Sequence, residues 1–389
     1  MGKARGFGVH IDLTDAQRAL RTELRAYFTG LLSAEERRAM LRERHGTVYR
    51  DVVRRMGRDG WLGVGWPVEY GGRGLGQVEQ QIFVNEAARA DVPLPAVTLQ
   101  TVGPTLQAHG TPEQKAFFLP RILAGEVHFA IGYTEPGAGT DLASLRTAAV
   151  RKGDEYIVDG HKTFTTGAHD ADHVWLACRT DPAAPKHKGI SILIVDTTDP
   201  GYSWTPIITC DGAHHVNATY YSGVRVPVGM RVGAENAGWR LITTQLNHER
   251  VMLGPAGRVA VLYDRVCGWA SARGLLDRPD VRRALARTHA VLRVNELLNW
   301  QVASAEILEI ADASATKVFG SERLQELGQA LSDVVGRHGD PADPATADLL
   351  TWLDVQVKRN LVLTFGGGVN EIQRELIATA GLGLPRVPR

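Results

Sequence analysis

"DEYIVDGHKTFTTGAHDADHVWLACRT", residues 154–180, changes the period of the chain. Its apolar residues come in short runs rich in β-branched and aromatic side chains, broken by Gly, Asp and Lys, which is the pattern of strands. "VHFAIGYTE", "GISILIVDTT" and "ATYYSGVRVP" repeat it on either side, so a small antiparallel β-domain or barrel is predicted between about residues 127 and 232. Outward from it, both flanks are helical. Before it, Thr14 with Gln17 forms a capping-box signature, followed by Leu20, Leu24, Phe28 and Leu31 at helical spacing. Thr111, Pro112 and Gln114 mark another helix start. After "GAENAGW" the helical period returns and runs through "RLITTQLNHERVMLGPAGRVAVLYDRVCGWA" and "LARTHAVLRVNELLNWQVASAEI", with one polar break at "GRHGDPADPATAD". The predicted fold class is α+β in three parts: an all-α domain over 1–126, the β-domain over 127–232, and a four-helix-type α domain over 233–389.

A chain of 389 residues exceeds one compact core, which agrees with several packed units. Lys plus Arg number 44 against 43 Asp plus Glu, and a balance of +1 argues against nucleic acid or an anionic membrane as partner. Cys178, Cys210 and Cys267 lie far apart in no metal-like or CxxC spacing, so zinc and disulfide scaffolds are not expected. "MGKARGFGVHIDLTD" has no apolar signal core and no apolar run approaches bilayer length. The expectation is a soluble cytoplasmic protein.

Three glycine-rich stretches invite a ligand. Gly72, Gly74 and Gly76 in "EYGGRGLGQ" have G-x-G-x-G spacing with no βαβ unit around them, which reads as a surface loop. "TEPGAGTD", residues 134–141, can bring backbone N–H groups and hydroxyls against a polar planar ligand, and without a following Lys it is no P-loop. "LVLTFGGGVNEIQREL", residues 361–376, sets Gly366, Gly367 and Gly368 in a row, for which a tight turn between helices is the plain reading.

Taken together, "IGYTEPGAGTDLASLRT" and the "DEYIVDGHKTFTTGAHDADHVWLACRT" segment closely resemble the acyl-CoA dehydrogenase family. "WPVEYGG", "RVPVGMRVG" and "NEIQRELIA" extend the resemblance over nearly the whole chain. The closest likeness is to the actinobacterial branch acting on CoA thioesters of steroid side chains, the catalytic-subunit type, through "GYTEPGAGTDLASLRT", "QLNHERVMLG" and "LTFGGGVNEIQREL". The resemblance implies FAD as cofactor and removal of hydrogen from Cα and Cβ of an acyl thioester. A carboxylate takes the α-proton and flavin N5 the β-hydride. It implies that Ile131, Tyr133 and Thr134 line the flavin, and that Gly139 and Thr140 lie at the cofactor phosphate or the thioester. Phe164, Thr165 and Thr166 would stack on and hydrogen-bond the isoalloxazine, Phe164 standing where Trp is usual.

In the best-known branch the base sits in a "YEGTSEIQ"-like run before the last helix. "FGGGVNEIQ" puts Gly367 at that position. Another branch carries the base on the first long helix after the β-domain, and "QLNHERVML" supplies Glu249 beside Arg250 there. By helical period Leu246, Leu253 and Gly257 share a face that Glu249 and Arg250 flank. A Glu-Arg pair on a helix is ordinarily a solvated ion pair, and the vacancy at Gly367 turns the reading toward Glu249 as base, with the Gly367 N–H left as a donor to the thioester oxygen. The glycines also clear room for a bulky acyl group.

The resemblance further implies an acyl-CoA substrate, an electron-transfer flavoprotein or similar acceptor, and an oligomer in which neighbours complete each other's FAD sites. The lending stretches are eroded here: "RGLLDRPD" keeps Arg273 of an "RxxFGxPI"-like pattern, "SDVVGRHGD" replaces a "QxxGGxGY"-like one, and Val369 replaces the usual Thr. A heterotetramer with a second subunit of the same family is therefore expected. The competing readings are a same-fold flavin oxidase or monooxygenase, a dehydrogenase acting on a carrier-protein thioester, and a non-catalytic partner subunit, against which Glu249 speaks.

Overall fold

The computed structural model describes residues 12–252, 254–306 and 308–386, with the backbone course alone for residues 246–252. Six α-helices come first: α1 (Asp15–Leu31), α2 (Ala34–Arg42), α3 (Thr47–Arg58), α4 (Gln77–Arg89), α5 (Gly103–His109) and α6 (Pro112–Leu123). The capping boxes read from sequence are present at Thr14/Gln17 and Thr111/Gln114, and Ser33/Glu36 makes a third. Each satisfies two backbone donors that a helix start leaves open.

Eight strands follow: β1 (Phe129–Gly132), β2 (Ala148–Lys152), β3 (Glu155–Thr166), β4 (His173–Arg179), β5 (Ile190–Asp196), β6 (Tyr202–Ile208), β7 (His214–Pro227) and β8 (Arg231–Val232). They form one sheet in the order β6-β7-β3-β2-β4-β5-β8, with β1 parallel to β4. The sheet is mostly antiparallel, as expected. Strands β2, β6 and β8 have no counterpart among the runs read from sequence. β2 is Ala-Ala-Val-Arg-Lys, weak in strand propensity and made a strand by its pairing with β3. β6 carries Pro206 and lies at the sheet edge, where a missing N–H costs no ladder bond.

Both faces of β4 are buried. Trp175 and Ala177 join the core of the N-terminal helices, while Val174, Leu176 and Cys178 join Tyr156, Val158 and Val224 in a second core on the other face. The sheet is thereby locked to the helical layer that precedes it.

The C-terminal part comprises α7 (Gly238–Met252), α8 (Gly257–Ala272), α9 (Pro279–Ser304), α10 (Ile310–His338), α11 (Pro344–Asn360) and α12 (Asn370–Leu376). The run through "HERVMLGPAGRV" is not one helix. It breaks at Gly254–Pro255, since Pro255 offers no N–H and disfavours helix at the residue before it. Asn295 and Asn299 on α9 each donate to the Gly254 carbonyl, at 3.0 and 2.9 Å, and hold the break. The face predicted through Leu246, Leu253 and Gly257 is therefore interrupted. Leu253 and the side chain of Leu246 lie outside the described residues, and Gly257 belongs to α8.

Where the three parts meet runs a half-buried polar seam. His45, after α2, stands edge-on to His169 at 5.1 Å and to His215 at 6.2 Å, and His169 stacks on His214 at 4.0 Å. Arg50 pairs with Asp170 and Asp172, and Arg359 donates to the Leu41 carbonyl at 2.8 Å beside His215 and Asp211. Burial, then the neighbouring His169 and His215 rings, pushes His45 down to about 3; burial and Arg359 push His215 down to about 4, with Asp211 opposing. Both rings are thus neutral in the fold. Their contribution is complete above about pH 6.5, the value in the unfolded chain, and is lost as pH falls toward 4, at about 1.4 kcal/mol per pH unit per histidine at most. Urea midpoints should fall between pH 7 and pH 5, and less steeply for His45→Asn; parallel curves for the two chains would count against the seam as the cause.

Candidate active site

β1 ends at Gly132 and delivers Tyr133, Thr134 and a tight turn in which Glu135 and Ala138 exchange backbone hydrogen bonds of 3.1 and 3.0 Å. The turn is pinned from below. Lys162 on β3, fully buried, donates to the Tyr133 carbonyl at 3.0 Å and to Glu135 Oε1 at 2.8 Å. The Glu135 carboxylate also accepts the backbone N–H groups of Arg146 at 2.7 Å and Thr147 at 2.8 Å. Burial opposes its charge, but Lys162 and these donors outweigh burial and hold the carboxyl below its usual value. Glu135 and Lys162 are thus a buried brace that shapes the loop. Above it, Gly139 and Thr140 are exposed, and nothing stands within 4 Å of where a Cβ on Gly137 or Gly139 would be.

β3 presents the neighbouring surface. Its register against β7 shifts between Lys162 and Thr165, and in that bulge Phe164 takes φ +56°. A bulky residue in the left-handed region is strained, and such strain persists where the surrounding structure imposes it. Its effect is to turn the Phe164 ring outward, 62% exposed, beside the exposed Thr166. Ile131 and Thr134 are half-buried, and the Thr134 carbonyl accepts from Thr163 N–H at 2.9 Å. That bond brings the Thr134 loop against the Phe164 bulge, while Ile131 packs against the core of the N-terminal helices. Tyr133 and Thr165 turn their side chains inward. The phenol of Tyr133 runs into the core, where Trp175 donates to it at 3.2 Å, and the Thr165 hydroxyl lies 3.4 Å from that of Thr219. What these two can offer a ligand is backbone.

The three-glycine turn lies between α11 and α12. Gly367 and Gly368 have φ +65° and +93°, so glycine is required at both. At Gly368 a Cβ would also stand 2.6 Å from Gln373 Nε2. Gly366 has no such constraint, and its N–H closes the preceding turn onto Val362 O at 2.7 Å. Lys317 on α10, fully buried, donates to the Gly368 carbonyl at 2.7 Å and to Asn370 Oδ1 at 2.8 Å. Asn370 in turn donates to Ser321 and Glu322, and Glu322 pairs with Arg374 at 2.6 Å. The turn's backbone is therefore fixed by buried side chains from α10.

Glu249 and Arg250 lie on α7, with their side chains outside the described residues. The helix itself is anchored at its midpoint and beyond its C-terminus. Gln245, one turn before Glu249, bonds to Tyr133 and Thr105, and beyond its C-terminus Gly254 abuts Gly320 of α10 so closely that a Cβ on Gly320 would come within 3.1 Å of the Gly254 Cα. α10 thus carries both the support of α7 and the lysine that holds the glycine turn. Arg273 sits elsewhere, at the end of α8, with its guanidinium paired to Asp343 and over the ring of Trp269. Among the described residues no cluster suited to a metal ion occurs, and no helix is long and apolar enough to cross a membrane.

Gln245, Lys162 and Lys317 were not singled out in the sequence. Lys162 precedes "TFTT" by one residue, which was the available signal; Gln245 and Lys317 have none short of the assembled fold.

Models describing the N-terminal, middle and C-terminal domains of acyl-CoA dehydrogenases match residues 14–126, 130–223 and 236–382. The acyl-CoA dehydrogenase FadE29 of Mycobacterium tuberculosis is 70% identical over 385 residues, covering 97% of this chain and 100% of that protein. Among solved structures, the Tcur3481-Tcur3483 steroid ACAD superposes with a TM-score of 0.92 at 52% identity, covering 97% of this chain and 100% of that one. The ChsE4-ChsE5 complex from Mycobacterium tuberculosis superposes with a TM-score of 0.89 at 49% identity, over 97% and 100% of the two chains.

Proposed function

This chain belongs to the acyl-CoA dehydrogenase family, an oxidoreductase acting on a CH–CH pair, and on that premise we propose that it uses FAD to desaturate a bulky acyl-CoA, a steroid side-chain thioester being the leading candidate. The observation that carries the cofactor is the outward ring of Phe164, held in left-handed backbone between the Thr134 loop and Thr166. An exposed aromatic face flanked by backbone groups and hydroxyls fits a planar isoalloxazine. FAD, when bound, accepts the β-hydrogen with its electron pair. Ile131, Tyr133, Thr134 and Thr165 would line it chiefly by backbone and Thr166 by its hydroxyl, with Gly139 and Thr140 at the phosphates or the thioester.

The α-proton goes to the carboxylate of Glu249, and as it leaves, the electron pair of the C–H bond forms the Cα=Cβ double bond. Desolvation raises the affinity of such a carboxylate for the proton, and Arg250, next in sequence, is proposed as part of the same catalytic set. The Gly367 N–H, in a turn that Lys317 holds rigid through Gly368, donates to the thioester oxygen where negative charge develops. An electron-transfer flavoprotein or similar protein would serve as the acceptor.

Steroidal substrate and mixed assembly are supported by what the neighbours are: one solved structure is of a steroid ACAD named for two components, another of a ChsE4-ChsE5 complex. Anaerobic mixing with butyryl-, octanoyl-, isobutyryl- and cholanoyl-CoA, followed by flavin bleaching, tests the reading. Cholanoyl-CoA should give the highest kcat/KM. A straight-chain thioester well ahead of the others would remove the steroid assignment and leave the reaction class. Failure of every thioester, with FAD bound, would overturn the dehydrogenase reading.

A further inference from the structure

Behind the proposed site, one buried hydrogen-bond chain crosses all three parts of the molecule. Trp175 Nε1 on β4 donates to Tyr133 Oη at 3.2 Å, and Tyr133 Oη donates to Gln245 Oε1 on α7. Gln245 Nε2 donates to Thr105 Oγ1 on α5 at 2.8 Å, and Thr105 Oγ1 donates to the Thr101 carbonyl at 2.7 Å. Trp175, Tyr133, Gln245 and Thr105 are 0%, 7%, 2% and 8% exposed. Every link has one direction, because the indole is a donor only and the carbonyl an acceptor only, so the Gln245 amide has a single orientation. Breaking any link strands a buried polar atom, which is what makes such chains rigid.

The ends of this chain matter. Tyr133 immediately precedes Thr134 in the loop assigned to the flavin, and Gln245 immediately precedes, by one helical turn, the position of Glu249. We propose that Gln245 is a positioning residue: with Tyr133 and Thr105 it sets the depth and rotation of α7 against the flavin-facing loop, so that base and cofactor keep one spacing to the thioester. The inference rests on the assignment of Glu249 as base. It accounts for a buried glutamine at this position, where a methionine would fill the same space without two buried polar bonds to satisfy.

The test compares Gln245→Met, Thr105→Val and Thr105→Ser with the native holoprotein, with cholanoyl-CoA and isobutyryl-CoA as probes. Exchange of the thioester α-hydrogen with D2O, read by mass spectrometry, reports the base alone, and amide hydrogen exchange over residues 241–252 reports the helix. Gln245→Met and Thr105→Val should slow α-exchange on the order of tenfold to a hundredfold and move the midpoint of its pH profile, with thioester affinity little changed and amides 241–252 exchanging faster. Thr105→Ser, which keeps the hydroxyl, should behave as native. If Gln245→Met does not fold, Thr105→Val carries the test, since it removes one hydroxyl from a different domain. Folded variants with native α-exchange and a native pH midpoint would overturn the proposal. Undiminished α-exchange in Glu249→Gln would instead overturn the base assignment on which it stands.

Discussion

Glu249→Gln should bind FAD as the native chain does and reduce it at least about a hundredfold more slowly when mixed anaerobically with the best acyl thioester. The amide keeps the size and one acceptor of the carboxylate but cannot take a proton, so the loss falls on the chemical step and leaves substrate affinity nearly intact. Moving the acid does not repair it. In Glu249→Gln with Gly367→Glu, the new side chain would have to occupy backbone at φ +65°, a region that favours glycine. It would also fill the space beside the reacting carbons. Near-native flavin reduction by Glu249→Gln would sink the assignment. Rescue by Gly367→Glu would show that the glycine turn still accommodates a base, against the view that this chain relies on α7.

The order of helical, β and helical parts was legible because it rests on hydrophobic period, which the local sequence carries. The Thr14 and Thr111 caps were legible for the same reason: their bonds close within four residues. Less local features were not. β6 contains a proline and is a strand because β7 lies beside it from Tyr202 to Ile208. The strain at Phe164 follows from a register shift against β7, and nothing in "KTFTT" announces it. Gly254–Pro255 was visible, yet the helical period on both sides hid the break that Asn295 and Asn299 secure from another helix. At the site, the glycine turn raised the right question, and Gly367 and Gly368 answer it through backbone, Gly366 not. Gln245 and Lys317 are polar residues on helices whose partners lie 112 and 51 residues away, at Tyr133 and Gly368, and sequence spacing holds no information about such pairs.

Expressed alone, the chain should hold FAD at well under one per subunit, and co-expression with a complementary member of the family should raise occupancy to one FAD for each pair. Its two lending stretches are spent on contacts within the chain. In "RGLLDRPD", Arg273 is paired to Asp343 at the start of α11, and Asp277 takes Arg282. In "SDVVGRHGD", His338 lies 2.6 Å from Asp280 and Arg337 3.4 Å from the same carboxylate, which His338 first of all holds down to about 2. Arg273 and Arg337, which such stretches would offer a neighbour's pyrophosphate, are thus already matched to carboxylates of this chain, and freeing them would cost Asp343 and Asp280 a charged partner each. The half proposed to face the flavin has the opposite character: Phe164, Thr166, Gly139 and Thr140 are exposed. A chain that keeps the half it uses and has closed the half it would lend calls for a second subunit with the reverse arrangement, and two of each then give a heterotetramer with two active sites. Because a ligand that binds only the assembled state stabilises it, FAD should also raise the melting temperature of the mixed complex far more than that of the single chain. Native mass measurement with flavin counted by absorbance decides the matter: a homotetramer of this chain alone, carrying one tightly held FAD per subunit and fully active, would show that Arg273 and the Arg337 region release their carboxylates and bind the cofactor after all.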